Sequence, residues 1–268
     1  MEDSVLRFYD EMAEDYHHIF ADWKQGVAWQ GTVLGKFIRS RTAGQEDDPM
    51  TLLDCSCGIG TQAIGLAAQG FDVTATDLSP LSVERAKREA THFGVSIRFG
   101  VADFRSLERQ VPGQFDVVLS ADNALPHLLT DEDLEQSVCS LYAKVRASGL
   151  LMITIRDYDV LSQEKPPGTI PRVFDQGTRI VFQVWDWAAD GRTYTTHHFI
   201  MRKSNGEWVT KEKTVKYRAL LREDFRRILA QAGFIDIEWH LPESSGYYQP
   251  IVTARKSAHD HNVPLWDK

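Results

Sequence analysis

Three patterns of apolar and polar positions divide the chain. From residue 3 to about 41 the apolar residues keep helical spacing. Val5, Leu6, Phe8, Tyr9, Met12, Tyr16, Ile19 and Phe20 form one face, and Val27, Val33, Leu34, Phe37 and Ile38 another, in a second segment from Trp23 to Ile38. The polar run from Arg39 to Pro49 predicts a loop. The next pattern is short apolar runs: Leu52 to Asp54, Phe71 to Asp77, Ser96 to Ala102, Phe115 to Ser120 and Leu150 to Ile155. Helices are predicted between them from Gln62 to Gln69, from Ser79-Pro80 to about Phe93, and from Asp131 to about Val145. Gly70, Gly94 and Gly149 mark the helix ends. Strands alternating with helices predict parallel βαβ units.

From Pro166 strict alternation replaces this rhythm. Arg179 to Trp187 alternates through Ile180, Phe182, Val184 and Trp185, then Asp190-Gly191 offers a hairpin turn. Thr193 to Met201 and Trp208 to Arg218 follow, joined at Asn205-Gly206, and together they predict an antiparallel meander. A helix from Arg222 to Ala232 and strands from Ile235 to His240 and from Tyr248 to Ala254 return to the first pattern. The expected organisation is an N-terminal helical lid over residues 1–45, a core over 46–160, an inserted β cap over 161–219, the rest of the core over 220–256, and a tail over 257–268.

The strand ending at Asp54 runs into Cys55-Ser56-Cys57-Gly58-Ile59-Gly60 and then a helix. Gly58 and Gly60 can take positive φ and bring a ligand against bare backbone, and the helix start offers free N–H groups. A nucleotide-like ligand suits such a turn. Gly58, Gly60 and Ala63 also fit a dinucleotide fingerprint, so a nicotinamide-dependent dehydrogenase shares this feature. Asp77, Asp103 and Asp122 stand at or just beyond the ends of later strands, along one edge of a doubly wound sheet, where ligands bind. A carboxylate at Asp77 can accept both hydroxyls of a ribose.

Composition narrows the partners. A net charge of −8 disfavours a broad phosphate-binding face, so no nucleic-acid partner is expected. No apolar run reaches membrane-spanning length, and the acidic start Met1-Glu2-Asp3-Ser4 lacks the basic and apolar regions of a signal peptide. Cys55, Cys57 and Cys139 form no disulfide framework, which points to a reducing, cytoplasmic setting. Cys55 and Cys57 lack metal-site spacing and are read as packing in the turn, and no metal is expected. Assembly into a homo-oligomer stays open.

Two further stretches propose chemistry. In Asp122-Asn123-Ala124-Leu125-Pro126-His127, Asn123 can offer an amide oxygen to an amine N–H, and His127 can bind substrate or act as a base. A loop or helix-cap role is the alternative for His127. After the fifth strand, Arg156 can bind a carboxylate through two parallel hydrogen bonds. Its alternative is an internal salt bridge with Asp157 or Asp159. Tyr194, Tyr217, Tyr247 and Tyr248 can reach the cleft or serve packing.

Asp54, Gly58, Gly60, Asp77, Asp103 and the Phe115-Asp116-Val117-Val118 strand together resemble the motifs of class I S-adenosylmethionine-dependent methyltransferases. The resemblance implies a Rossmann-like seven-stranded sheet with the last strand antiparallel. It implies S-adenosyl-L-methionine as cofactor and a small-molecule substrate. Asp54 and the glycine turn would face the methionine part, Asp77 the ribose, and Asp103 with Phe104 the adenine, while Ser56, Leu78 and Ala102 would also belong to the cofactor site. Ala121, Tyr16 and Trp23 would complete the cofactor site, the last two from the lid. Asn123, His127, Arg156, Tyr158 and Asp159 resemble the glycine/sarcosine N-methyltransferase branch, in which the arginine binds the amino acid's carboxylate. That branch carries Gly at Asp122, Ser at Ala124, His at Ile155 and Asn at Asp157. The implied activity is methylation of the amine of a small, carboxylate-bearing molecule. A small-molecule O- or N-methyltransferase of secondary metabolism, with His127 as base, and a non-catalytic cofactor-binding protein are the other readings. Methyl transfer is an in-line displacement in which positioning alone can supply on the order of 7–11 kcal/mol.

Overall fold

The computed structural model describes residues 2–42 and 49–258. The expected loop before Pro49 and the tail after residue 256 fall largely outside these. Helix α1 (Glu2–Met12) stops earlier than the periodicity suggests. Asp15 N–H bonds back to the Met12 carbonyl, and a single 3₁₀ turn, Tyr16–Ile19, follows. The Asp22 carboxylate caps α2 (Trp23–Arg39) by accepting from Gln25 N–H.

Then come β1 (Thr51–Asp54), α3 (Thr61–Ala68), β2 (Asp72–Asp77), α4 (Pro80–Phe93), β3 (Arg98–Val101), the short α5 (Leu107–Gln110) and β4 (Phe115–Ser120). After them lie α6 (Asp131–Lys144), β5 (Val145–Thr154) and α7 (Tyr158–Glu164). A second sheet is built from β6 (Arg172–Phe174), β7 (Arg179–Trp187), β8 (Thr193–Ser204) and β9 (Glu207–Arg218). The chain returns through α8 (Arg222–Gln231), β10 (Ile235–His240), the short α9 (Pro242–Ser245) and β11 (Ile251–Arg255).

The main sheet has the order β10-β11-β5-β4-β1-β2-β3. Strands β1 to β5 run parallel, and β11 is antiparallel to both β5 and β10, as the pattern implied. Leu52, Leu53, Val117, Val118, Met152 and Ile153 are wholly buried in its centre. Each such side chain contributes about 1.5–3 kcal/mol by leaving water. Against one face α2 crosses α3 at a pair of glycines. A Cβ on Gly31 would lie 2.3 Å from the Gly65 carbonyl oxygen, so the two backbones touch.

The structure corrects several boundaries. The Arg172–Phe174 strand adds a fourth member to the expected three-stranded meander, by pairing with β7. Tyr248, expected to open the last strand, lies before β11 rather than in it, because α9 and Gly246 in the left-handed region turn the chain there. Strand β5 starts five residues before the predicted Leu150, and Ser148 at φ 60° makes the irregularity between the Phe115–Val145 and Val117–Leu150 pairs. In β7 the alternating residues Ile180, Phe182, Val184 and Trp185 divide between the faces, the first three being partly or fully exposed. Val181 and Trp185 are the buried residues, while Phe182 stacks on Phe199 outside. Among the described residues no helix is long and apolar enough to cross a membrane.

Candidate active site

The carboxyl ends of the parallel strands open into a cavity roofed by α1 and the Tyr16 turn. The glycine turn forms its floor. Cys55 N–H bonds the Leu119 carbonyl of β4, and Cys57 N–H bonds the Thr76 carbonyl of β2, so the turn is laced to both neighbouring strands. Gly60, at φ 95°, is the N-cap of α3, and a Cβ there would come within 2.8 Å of Ile64. Gly58, at φ 51°, lines the cavity, and a Cβ added to it would meet no protein atom within 4 Å.

Asp77 ends β2 beside the turn, where Oδ2 accepts Gly58 N–H (2.8 Å) and Oδ1 accepts Ser79 N–H (2.9 Å). Burial raises its pKa despite these bonds. Asp54 lies fully buried beneath the turn. Its Oδ1 accepts Ser56 N–H (3.3 Å), its Oδ2 has no partner, and burial pushes the carboxyl up to about 7. Ser56, Leu78 and Ala121 line the cavity, with the Ser56 hydroxyl against that of Ser120. Phe104 and Asp103 line its far end, where Arg105 pairs with Asp103 (2.5 Å) and also reaches Asp133 (2.9 Å). Ala102 is buried behind, its N–H bonded to the Asp77 carbonyl. Tyr16 lines the roof, whereas Trp23 sits outside the cavity wall, donating to the Thr61 hydroxyl (2.9 Å) and packed edge-on to Phe93.

The other end is built around β4 and β5. Asp122 and Asn123 both take left-handed backbone, at φ 60° and 69°. Asp122 lines the cavity, and Asn123 is buried behind it. The Asn123 oxygen, which the sequence reading assigned to an amine N–H, accepts Arg156 N–H (3.1 Å) and the Tyr158 hydroxyl (2.9 Å). Its Nδ2 is left without a partner. The Arg156 guanidinium donates to the Tyr194 hydroxyl (2.5 Å) and to Gln183 Oε1 (3.2 Å), and lies 4.8 Å from the Trp185 ring and 5.2 Å from that of Tyr217. The salt bridge weighed for it does not form. Asp157 and Asp159 pair with Arg222 instead, at 2.5 and 3.1 Å.

His127 reaches the cavity wall from a short 3₁₀ turn. Its Nδ1–H donates to the Lys216 carbonyl (3.3 Å), leaving Nε2 to accept the Tyr9 hydroxyl (2.8 Å). Burial, helped by Arg156, lowers its pKa to about 4, so the ring is neutral near pH 7.

A family model described as a methyltransferase domain matches residues 52–149, the stretch from the glycine turn to the start of β5. Over that stretch the chain is similar to the methyltransferase family that its motifs resemble. A glycine/sarcosine N-methyltransferase of Parasynechococcus marenigrum is 31% identical over 160 residues, covering 58% of this chain and 56% of that protein. The glycine N-methyltransferase of Homo sapiens is 33% identical over 181 residues, covering 58% and 60%. The match therefore spans somewhat more than half the length of these relatives. An amino pentose methyltransferase of Micromonospora echinaspora, solved with S-adenosylmethionine bound, shares the fold at a TM-score of 0.69 with 18% identity, over 90% of this chain and 94% of that one.

Several residues of this site were legible in the sequence only in part or not at all. Tyr9 was legible only as one aromatic on a helical face, yet it holds His127, 118 positions away. Gln62 donates to Asp122 Oδ2 (2.9 Å) and to Gln30 Oε1 (2.8 Å), which also receives the Tyr247 hydroxyl (2.7 Å). Arg105 follows an expected acid directly and was overlooked. The box around Arg156 comes from Gln183, Trp185, Tyr194 and Tyr217, all in the second sheet.

Proposed function

We propose that this methyltransferase binds S-adenosylmethionine along the strand-end cavity and methylates the amine of a small, carboxylate-bearing molecule. The cavity suits that cofactor: Gly58 leaves a cradle that a Cβ would fill, Asp77 supplies a carboxylate, and Ile59, Leu78 and Phe104 supply apolar walls. Asp77 would hold the ribose hydroxyls, Asp103 and Phe104 the adenine, and Ser56 with Gly58 the methionine part. When bound, S-adenosylmethionine supplies an electrophilic methyl group. The chain's own residues bind and orient the acceptor, and the roof of α1 and Tyr16 keeps water out.

Arg156 carries the substrate assignment. Among the described residues no carboxylate pairs with it, because Arg222 takes the two nearby acids. A guanidinium held in a fixed aromatic setting without a bonded carboxylate favours a bidentate anionic guest. The orphan Nδ2 of Asn123 adds a donor at the same end. An amine is favoured over a hydroxyl acceptor because the only free lone pair of His127 is already capped by Tyr9. The names of the two N-methyltransferase relatives agree with this choice.

The test is methyl transfer to glycine, sarcosine, other amino acids and amines lacking a carboxylate. Acids should be accepted and plain amines refused. Arg156→Ala should raise KM roughly 10–100-fold, the loss of one or two charge-assisted bonds, with affinity for S-adenosylhomocysteine unchanged. Equal losses in substrate and cofactor affinity, or plain amines accepted as well as acids, refute the assignment.

A further inference from the structure

Asp122 lines the cavity, and Arg156, whose charge acts on the Asp122 carboxyl, bonds to Tyr194 and Gln183 rather than to it. Asp122 Oδ2 is held by Gln62, which donates also to Gln30, and Gln30 in turn accepts the Tyr247 hydroxyl. Asp122 Oδ1 is buried and has no partner. Its backbone N–H is fixed by the Thr154 hydroxyl (2.9 Å), and the next N–H by the Thr154 carbonyl (3.0 Å), so the side chain's origin is rigid. A buried carboxylate oxygen left bare costs stability unless a donor arrives. The complement of one bare carboxylate oxygen and one guanidinium without a bonded carboxylate is a molecule that carries an ammonium and a carboxylate together.

We infer that Asp122 recognises the substrate's amino end: Oδ1 accepts a hydrogen bond from a protonated amine whose carboxylate lies against Arg156, and then takes that proton. In this step an N–H bond breaks, an O–H bond forms on Asp122, and the electron pair stays on nitrogen as the lone pair that methylation requires. The inference rests on the carboxylate-bearing amine proposed above and assigns its other end. It also separates this chain from the glycine/sarcosine branch it resembles, in which the position carries glycine.

The charge state suits both halves of the task. Burial raises the Asp122 carboxyl to about 6, opposed by the Gln62 hydrogen bond, the Arg156 charge and Tyr247. The group is therefore ionised near pH 7 and a better proton acceptor than an exposed carboxylate. The other titratable groups that sense it are Asp54 beneath the turn, Tyr16 in the roof and Tyr217 from β9.

The experiment is calorimetric titration of sarcosine and of acetate into the S-adenosylhomocysteine complex, with no turnover. Wild type should bind sarcosine at least about tenfold more tightly than acetate, the worth of one hydrogen bond to a charged group. Asp122→Asn should bring the two within about threefold while leaving acetate and S-adenosylhomocysteine affinities unchanged. Asparagine tolerates left-handed φ, and its oxygen can still accept from Gln62, so the fold should survive; Asp122→Gly gives a second variant with the same expected loss of preference. Between pH 8 and 5 wild-type sarcosine affinity should fall as Asp122 protonates, while that of the Asn variant stays flatter. That comparison removes the contribution of Asp54, which titrates in the same range. A full sarcosine preference retained in both variants overturns the inference and leaves the Arg156 assignment standing. Failure of wild type to bind either probe, or acetate binding unaffected by Arg156→Ala, overturns the carboxylate reading and this inference with it.

Discussion

Asp54 carries a buried carboxylate with one oxygen bare, and the consequence is a pH dependence of a definite sign. Its folded pKa, about 7, lies above the unfolded value near 3.8, so the folded state keeps a proton that the unfolded chain has released. Stability from this group is complete below about pH 4 and is lost as pH rises to about 7. Urea denaturation at steps from pH 5 to 8 should show wild type losing about 2 kcal/mol relative to Asp54→Asn, with no further divergence above. Parallel curves would mean that water or a rearranged turn satisfies the second oxygen. His127 and His198 act in the opposite sense. Burial lowers them to about 4 and about 3, so each subtracts stability as pH falls below 6.5. Total stability against pH therefore reflects opposed terms, and only the difference from the variant isolates Asp54.

The crossing of α2 on α3 sets how far the glycine turn stands from the helix layer. Gly31 and Gly65 face each other there, and a Cβ on Gly65 would lie 2.4 Å from the Val27 carbonyl oxygen. Backbone cannot yield as a flexible side chain can, so Gly31→Ala should destabilise by at least about 1–3 kcal/mol in chemical denaturation. Gly35 is the internal control on the same helix. A Cβ there meets side chains at 3.4 Å, an ordinary contact, and alanine's better helix propensity should leave Gly35→Ala within about 1 kcal/mol of wild type. Equal effects at both positions would show that helix propensity, not backbone contact, governs the crossing. Because Gln30 adjoins Gly31 and holds Gln62, the same shift should also weaken the support of Asp122.

Residues 10–21 connect two parts of the molecule across the cavity. On one side Asp10 accepts the Ser79 hydroxyl (2.6 Å), and Glu14 pairs with Arg85 (3.1 Å) and Arg88 at α4. On the other, Glu11 pairs with Lys213 and Asp15 with Lys211 of β9, each at 2.5 Å, while Arg179 and Arg172 donate to carbonyls of residues 18–21. The roof is thus fastened largely by ion pairs near the surface, which salt weakens. Changing Lys211 and Lys213 together to alanine should speed amide exchange in α1 and the Tyr16 turn and hasten S-adenosylhomocysteine release. It should leave global stability nearly unchanged, because surface ion pairs contribute little to it. Unchanged exchange would place the hold in the packing of Phe8 and Met12 instead.

The parallel core was readable in the chain because local signals carried it. Apolar runs, glycine stops and the Ser79-Pro80 start each act within a few residues, and a strand end followed by an acid needs no distant partner to be recognised. The glycine turn, Asp77 and Asp103 could be placed at strand ends for that reason, and the long strands of the second sheet came from alternation and turn chemistry. Which face of β7 turns inward was not legible, since Ile180, Phe182 and Val184 are as apolar as the residues that are buried. Burial there depends on Trp185 meeting Arg156, a contact between separate sheets. The acids beside Arg156 looked like its partners until the fold delivered Arg222 to take them. Tyr9 on His127 and Gln62 on Asp122 are likewise bonds across 118 and 60 positions. Hydrogen-bonding capacity is written in each residue, but which donor finds which acceptor is settled by the packing of elements far apart in the chain.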